Sequence, residues 1–300
     1  MGWSSSQSAL NVIDGGSAMA IDSNLSTSFA AMVDWLYAGL IRAANLDQSL
    51  DREQGLGGKL FYAGDLEGVG SALVVAANIA GAATLTASAD VATQKQAIRD
   101  GVIDFLVTSL DEALRILKNE LRKGETVAVC VSKSTEEIED EMMERGVLPD
   151  LLPPGTLDAP RFEAFLIEGA RQIDPVAAGK GETVLTWCVI GAPAHWLPRL
   201  DALAGECLSG SEGQEDWSAR RWLRLAPRYL GRLAHGARLL RSKTGAARCF
   251  VERVRQQVEN CEIAVPVEIR LSGQGDSKLH RLFPPAACLV TDGLSLAGRR

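Results

Sequence analysis

Through the middle of the chain, short apolar runs alternate with amphipathic ones. A few apolar residues from Leu60 lead to Gly64, and after a glycine turn the residues from Gly70 onward are apolar at almost every position, which predicts a strand, a turn and a buried helix. Residues 83–88 read as a second strand, 91–99 as a helix and 102–107 as a third strand. Residues 109–122 predict a helix capped by Ser109, with Glu112 three residues on completing a capping box. Residues 126–131 form a strongly apolar strand. The helix at 134–145 follows, with Glu136, Glu137 and Glu139 placed where its dipole favours acids. Gly146 stops that helix, and residues 149–152 make a fifth short strand before Pro153-Pro154-Gly155. Five strands alternating with helices predict an α/β fold, a Rossmann-like doubly wound parallel sheet over residues 55–155.

The flanks follow a different pattern. Residues 1–24 are rich in Ser, Gly, Asn and Asp and read as a loose lead-in. At 26–44 apolar residues return at helical spacing (Phe29, Met32, Val33, Leu36, Leu40, Ile41), a helix expected to pack on the main body. A polar connector ends in Gly55, Gly57 and Gly58, so residues 1–54 are expected to be a lead-in and a helix belonging to a core domain. The rest of that smaller α/β core is expected over 156–300, with the parallel sheet inserted in it or followed by it. Its pattern predicts helices at 161–172, 195–204, 217–240 and 244–260 and strands at 182–190 and 263–271. Between Arg220 and Arg255 stand eleven Lys or Arg and one acid, Glu252; without interleaved aromatics this reads as a solvated helix face rather than a nucleic-acid surface.

The glycine turn carries the first candidate chemistry. Gly64, Gly68 and Gly70 let the backbone turn tightly and approach an anion, and the following helix aims its unpaired N–H groups there, so a phosphate-bearing ligand is expected. The spacing is Gly-x-x-x-Gly-x-Gly, and Asp65 and Glu67 add two carboxylates that must point away from a phosphate. The same turn also suits a bare strand-to-helix junction. At the end of the second strand, where an acid commonly holds the adenosine ribose, stands Ser88; Asp90, two residues later, could reach a ribose hydroxyl or cap the next helix.

Composition narrows the picture. A formal charge of −7 gives no overall attraction to nucleic acid or anionic lipid. No apolar run approaches the ~20 residues of a membrane helix, and the first residues lack a signal-peptide pattern, so a cytoplasmic location with no membrane partner is expected. The six cysteines are scattered, which indicates neither a zinc site nor a disulfide framework and leaves most of them expected to be reduced and buried.

Two segments together resemble the urocanase family. The first is Gly-Lys-Leu-Phe-Tyr-Ala-Gly from Gly58, Gly68-Val69-Gly70-Ser71-Ala72, Ala-Gly-Ala-Ala-Thr-Leu ending at Leu85, residues 108–114 and Arg145-Gly146-Val147-Leu148-Pro149-Asp150. The second is Trp187-Cys188 followed by Pro193 and Trp196, similar to the family's stretch around its catalytic cysteine. Weaker similarity runs through Arg221-Trp222-Leu223 and residues 264–269, so the matching order covers most of 55–270. The resemblance implies a tightly held NAD whose nicotinamide acts as an electrophile toward urocanate, allowing water to add, in a homodimer. By position it implies that Gly68, Val69 and Gly70 face the pyrophosphate, beside the Gly64 and Asp90 already read as candidate cofactor contacts, that Thr156 belongs to the cofactor site and that Cys188 lies beside the nicotinamide. His195, where the family has an arginine, would serve the substrate carboxylate or a proton transfer. No metal is implied. The chain departs from the family in a loop one residue longer, in Glu67 where glycine is usual, and in Ser88 for the ribose acid. These departures also suit a degenerate relative, a non-catalytic binding or assembly subunit. The longer glycine spacing also suits short-chain dehydrogenases, but none of Tyr37, Tyr62 and Tyr229 has the lysine four residues on that they need, which argues against that reading.

Overall fold

A computed structural model describes residues 20–46, 55–154, 159–175, 181–209, 217–234, 236–273 and 277–289. Helix α1 (Ala20–Leu46) leads into β1 (Leu60–Asp65), α2 (Gly70–Ala80), β2 (Ala83–Ala87), α3 (Val91–Asp100), β3 (Phe105–Val107), α4 (Leu110–Lys123), β4 (Val127–Val131), α5 (Thr135–Glu144) and β5 (Leu151–Leu152). After α6 (Ala159–Ile167) and β6 (Arg171–Gln172) come β7 (Glu182–Val189), α7 (Pro193–Ser209), α8 (Trp217–Leu230), β8 (Ala237–Lys243), α9 (Thr244–Glu259), β9 (Val267–Ser272) and β10 (Ser277–Leu282).

The first six strands are parallel, in the order β3-β4-β2-β1-β5-β6. Strands β2 and β4 are buried at every position, which is why they read as continuous apolar runs rather than alternating ones. On one face α4, α5 and α6 cover Leu60, Tyr62, Leu85 and Val129; on the other α2 covers Phe61, Ala63, Ala128 and Cys130. The sheet is therefore doubly wound and Rossmann-like, as the pattern predicted. Ser109 and Ser134 both cap their helices, and Ser134 with Glu137 forms a full capping box. At Ser109 the box is incomplete: the Glu112 carboxylate accepts from the Thr108 N–H instead.

Helix α2 is buried along its whole length except at Ser71, because α1 and α8 close over the side that faces away from the parallel sheet. Beyond them lies a four-stranded antiparallel sheet, β10-β9-β7-β8, whose far face carries α7 and α9. One apolar core runs from α2 through α1 and α8 into this second sheet.

Two of the expected helices need correction. Residues 161–172 are not one helix: α6 stops before Gly169, whose φ of +110° a side chain rarely adopts, and Arg171–Gln172 extends the parallel sheet beside β5. Residues 217–240 are not one helix either, since the chain turns through a short 3-10 segment after Leu230 and Ala237–Lys243 pairs with β7 along its length. Pairing with a distant strand overrides the local pattern there. Strand β10 was not anticipated from the sequence, and it completes a hairpin with β9.

That hairpin returns the chain to the end of α9, where Cys261 and Cys288 are joined in a disulfide with Cα atoms 5.4 Å apart. Their 27-residue separation follows no spacing rule, so the expectation of no disulfide fails at this pair. Cys130, Cys188, Cys207 and Cys249 are free thiols. Among the described residues no helix is long and apolar enough to cross a membrane, and no cluster of three His, Cys, Asp or Glu could hold a metal.

A buried carboxylate sits under β1. Glu139 accepts a hydrogen bond from the Tyr62 hydroxyl at 3.1 Å, yet burial pushes its carboxyl up to about 6, against the pull of Tyr62 and Arg161. The folded state thus holds this proton more tightly than the unfolded chain, whose ordinary value is 4.5, and stability falls as pH rises from 4.5 through 6. Glu139→Gln keeps an acceptor for Tyr62 and removes the buried charge. It should raise stability by about 2 kcal/mol at pH 8 and change little at pH 4, read by urea denaturation at both pH values. Destabilisation at pH 8 alone would show that the charge itself is needed, and equal destabilisation at both would show that the carboxyl's contacts matter whatever its charge.

Candidate functional site

In an open parallel sheet, ligands settle outside the carboxyl ends of the strands where the winding changes direction. Here the chain moves from β1 to β2 on one side and later returns from β4 to β5 on the other, so the switch lies between β1 and β5. The loops at that point are 66–69, after β1, and the segment beginning at Pro153, after β5. Gly64, Gly68, Val69 and Gly70 all stand in or beside the first loop. Thr156, which would stand in the second, lies outside the described residues.

The loop is tied by its own hydrogen bonds. The Glu67 N–H donates to the Asp65 carboxylate at 3.0 Å, the Gly70 N–H to the Glu67 carbonyl at 2.9 Å, and the Ser71 hydroxyl to the Leu66 carbonyl at 2.9 Å. The Asp65 carboxylate is thereby turned into the loop, which answers part of the charge problem seen in the sequence. Gly70 has no room for a side chain: a Cβ there would lie 1.7 Å from the Asp65 carbonyl oxygen. Gly68 is the opposite case, with φ of +58° and nothing within 4 Å of where a Cβ would stand. No side chain caps α2, whose first turn opens toward this exposed mouth. These residues fit an anionic group such as a pyrophosphate.

The ribose position is arranged differently. The Asp90 carboxylate accepts from the Thr93 N–H at 2.7 Å as the N-cap of α3, and hydrogen bonding from the Thr93 side chain, with that N–H second, lowers its carboxyl below the usual range. Ser88 is buried, and its hydroxyl accepts from the Asp90 N–H at 3.3 Å. Gln94, one turn into α3, was not singled out from the sequence. Its side-chain amide donates to the Ser88 carbonyl at 2.6 Å and to the Ser132 hydroxyl at 3.0 Å, tying the carboxyl ends of β2 and β4 together. Only its burial marks it, and burial is invisible in a sequence.

Cys188 belongs to the second sheet, and His195 to the helix that follows its strand. Cys188 lies near the end of β7, on the face opposite the buried Leu185 and Trp187, between Ala237 and Glu268 of the neighbouring strands. Burial and the Glu268 carboxylate push its thiol up, Arg270 partly offsetting them, so it stays protonated at neutral pH. His195 is exposed in the first turn of α7, its ring edge-on to Trp196 at 4.8 Å. Ala192, with φ of +45°, makes the sharp turn between them. Among the described residues no hydrogen bond or ion pair joins Cys188 to His195. The layer of α1, α2 and α8 separates the second sheet from the parallel one.

The basic stretch is not uniformly solvated. Arg221 on α8 is buried, and its Nε donates to the Ile79 carbonyl at 2.7 Å in the last turn of α2. A guanidinium there meets the negative end of the helix whose other end faces the loop mouth. Gly55 leaves the space for it, since a Cβ would lie 3.1 Å from that guanidinium.

Residues 37–157 match the family model described as Urocanase Rossmann-like domain. The matched span takes in the end of α1, the glycine loop and all of β1 through β5.

Proposed function

Starting from a chain that is a relative of the urocanase family, we propose that it binds NAD along the carboxyl edge of its parallel sheet and supports addition of water to urocanate or a related conjugated heterocycle. The observation that carries this reading is the loop after β1, with its open mouth at Gly68, its closed packing at Gly70 and an uncapped α2 behind them. The open backbone at Gly68 and Val69 would lie against the pyrophosphate, and the first turn of α2 would meet its charge. When bound, NAD supplies an electrophilic ring rather than a hydride acceptor. Gln94 holds β2 and β4 in register beneath the adenosine half. His195, exposed at the start of α7, is the group available to meet a substrate carboxylate or to move a proton at one of its ring nitrogens. Cys188 would contribute a neutral thiol rather than a thiolate nucleophile.

A second reading, a non-catalytic binding or assembly subunit, is favoured by one arrangement. Asp90 is committed to capping α3, and Cys188 stands on a different sheet from the loop, with His195 on the helix after it.

Mass spectrometry of small molecules released by denaturing the protein, with calorimetry of added NAD, separates the possibilities. Stoichiometric NAD followed by urocanate turnover supports the first reading, and Cys188→Ala should then lower turnover while leaving NAD binding intact. NAD without turnover on any such heterocycle supports the second. No NAD by either method removes the cofactor from both. Sedimentation of the same sample tests the homodimer that belongs to this proposal.

A further inference from the structure

We propose that Cys207 and Cys249 form a modification site at which exchange with a low-molecular-weight disulfide such as glutathione disulfide joins α7 to α9. The two helices pack side by side on the outer face of the antiparallel sheet. At their seam the Cys249 thiol donates to the Cys207 sulfur with 2.8 Å between the sulfurs, against about 2.05 Å in a disulfide. Neither cysteine belongs to the Cys261–Cys288 bond, and neither takes part in the site described above. The residue before Cys207, Glu206, is ion-paired across the same seam to Arg253, one turn beyond Cys249, so the helices are held in the register that keeps the sulfurs opposed.

Their environments assign the roles. Cys249 is exposed and is the thiol an outside disulfide can reach, whereas Cys207 is buried. Cys249 gives its proton to solvent, and its thiolate attacks one sulfur of the oxidant, forming a mixed disulfide and expelling one thiolate, which takes up a proton. Cys207 then attacks the Cys249 sulfur, breaking the mixed bond, and its proton leaves with the second low-molecular-weight thiol. In sum, one protein dithiol loses two electrons and one oxidant disulfide becomes two thiols. Burial and the Cys249 hydrogen bond push the Cys207 thiol up to about 12, and the Arg253 guanidinium opposes them, so this second step depends on the contact being already made. The product would fix α7, which begins directly after β7 and carries His195, against α9, whose Phe250 packs on Trp187.

The test uses the full chain and glutathione disulfide. Trapping free thiols in denaturant should show a fall from four to two. Non-reducing tryptic mapping should recover one cross-linked pair containing Cys207 and Cys249, and dithiothreitol should reverse it. Cys207→Ser should instead stop at a stable mixed disulfide on Cys249, and Cys249→Ser should take up no glutathione at Cys207. The mapping of the unaltered chain needs no variant to fold. Retention of all four thiols, or glutathione resting on Cys249 of the unaltered chain with Cys207 still free, overturns the proposal.

Discussion

Gly70→Ala is expected to lower folding stability by about 3 kcal/mol and to abolish NAD binding in the fraction that still folds. The added methyl would lie 1.7 Å from the Asp65 carbonyl oxygen and 2.7 Å from its carbon. Both are backbone atoms, so no rotamer change relieves the clash, and the junction of β1 with α2 must move. Because Phe61 and Ala63 of β1 and nearly all of α2 are buried together, that movement spreads into the core. Gly68→Ala separates loop shape from loop packing. A Cβ there meets nothing within 4 Å and only the backbone angle of +58° opposes it, at about 1 kcal/mol. The fold should survive, while the methyl stands where a phosphate would approach. A urea midpoint for Gly70→Ala equal to that of the parent would show that the turn is looser than its geometry. Unchanged NAD affinity in Gly68→Ala would place the phosphates elsewhere.

Asp34→Ala is expected to destabilise the protein by about 3–5 kcal/mol. Asp34 is buried on α1 and accepts from Arg241 of β8 through Nη2 at 2.7 Å and Nε at 3.1 Å, a charged link between the helix layer and the antiparallel sheet. Burial raises the Asp34 carboxyl more than Arg241 lowers it, so the pairing does not fully offset desolvation. Removing only the acid leaves Arg241 without its buried carboxylate, with Glu182 at 4.0 Å as a more exposed neighbour. Exchanging both for apolar residues, Asp34→Leu with Arg241→Met, should therefore cost much less than Asp34→Ala, and a double-mutant cycle by denaturation gives the coupling. An Asp34→Ala protein within 1 kcal/mol of the parent would mean that water reaches the guanidinium and replaces the carboxylate.

How much of the site was legible depends on how local its causes are. The glycine loop could be read because a tight strand-to-helix turn needs glycines in particular places, and Gly68 and Gly70 occupy them for two different reasons. Asp90 carried both possible roles in the sequence, ribose contact and cap. The cap is the role seen in the structure, since the Thr93 N–H lies three residues away and needs no ligand to complete the bond. Arg221 read as one of many surface cations; that it meets the end of α2 depends on a helix 142 residues earlier in the chain.

The sequence by itself determined the alternation of strands and helices through residue 152, the cap at Ser109, and the glycine turn after β1, because each rests on contacts within a few residues. Only the tertiary structure decided that residues 237–243 form a strand, that Cys261 meets Cys288 and Cys207 meets Cys249, and that Cys188 lies on a different sheet from the glycine loop. Those outcomes come from pairings between distant segments, whose hydrogen bonds and shared burial outweigh the local preferences that a sequence pattern records.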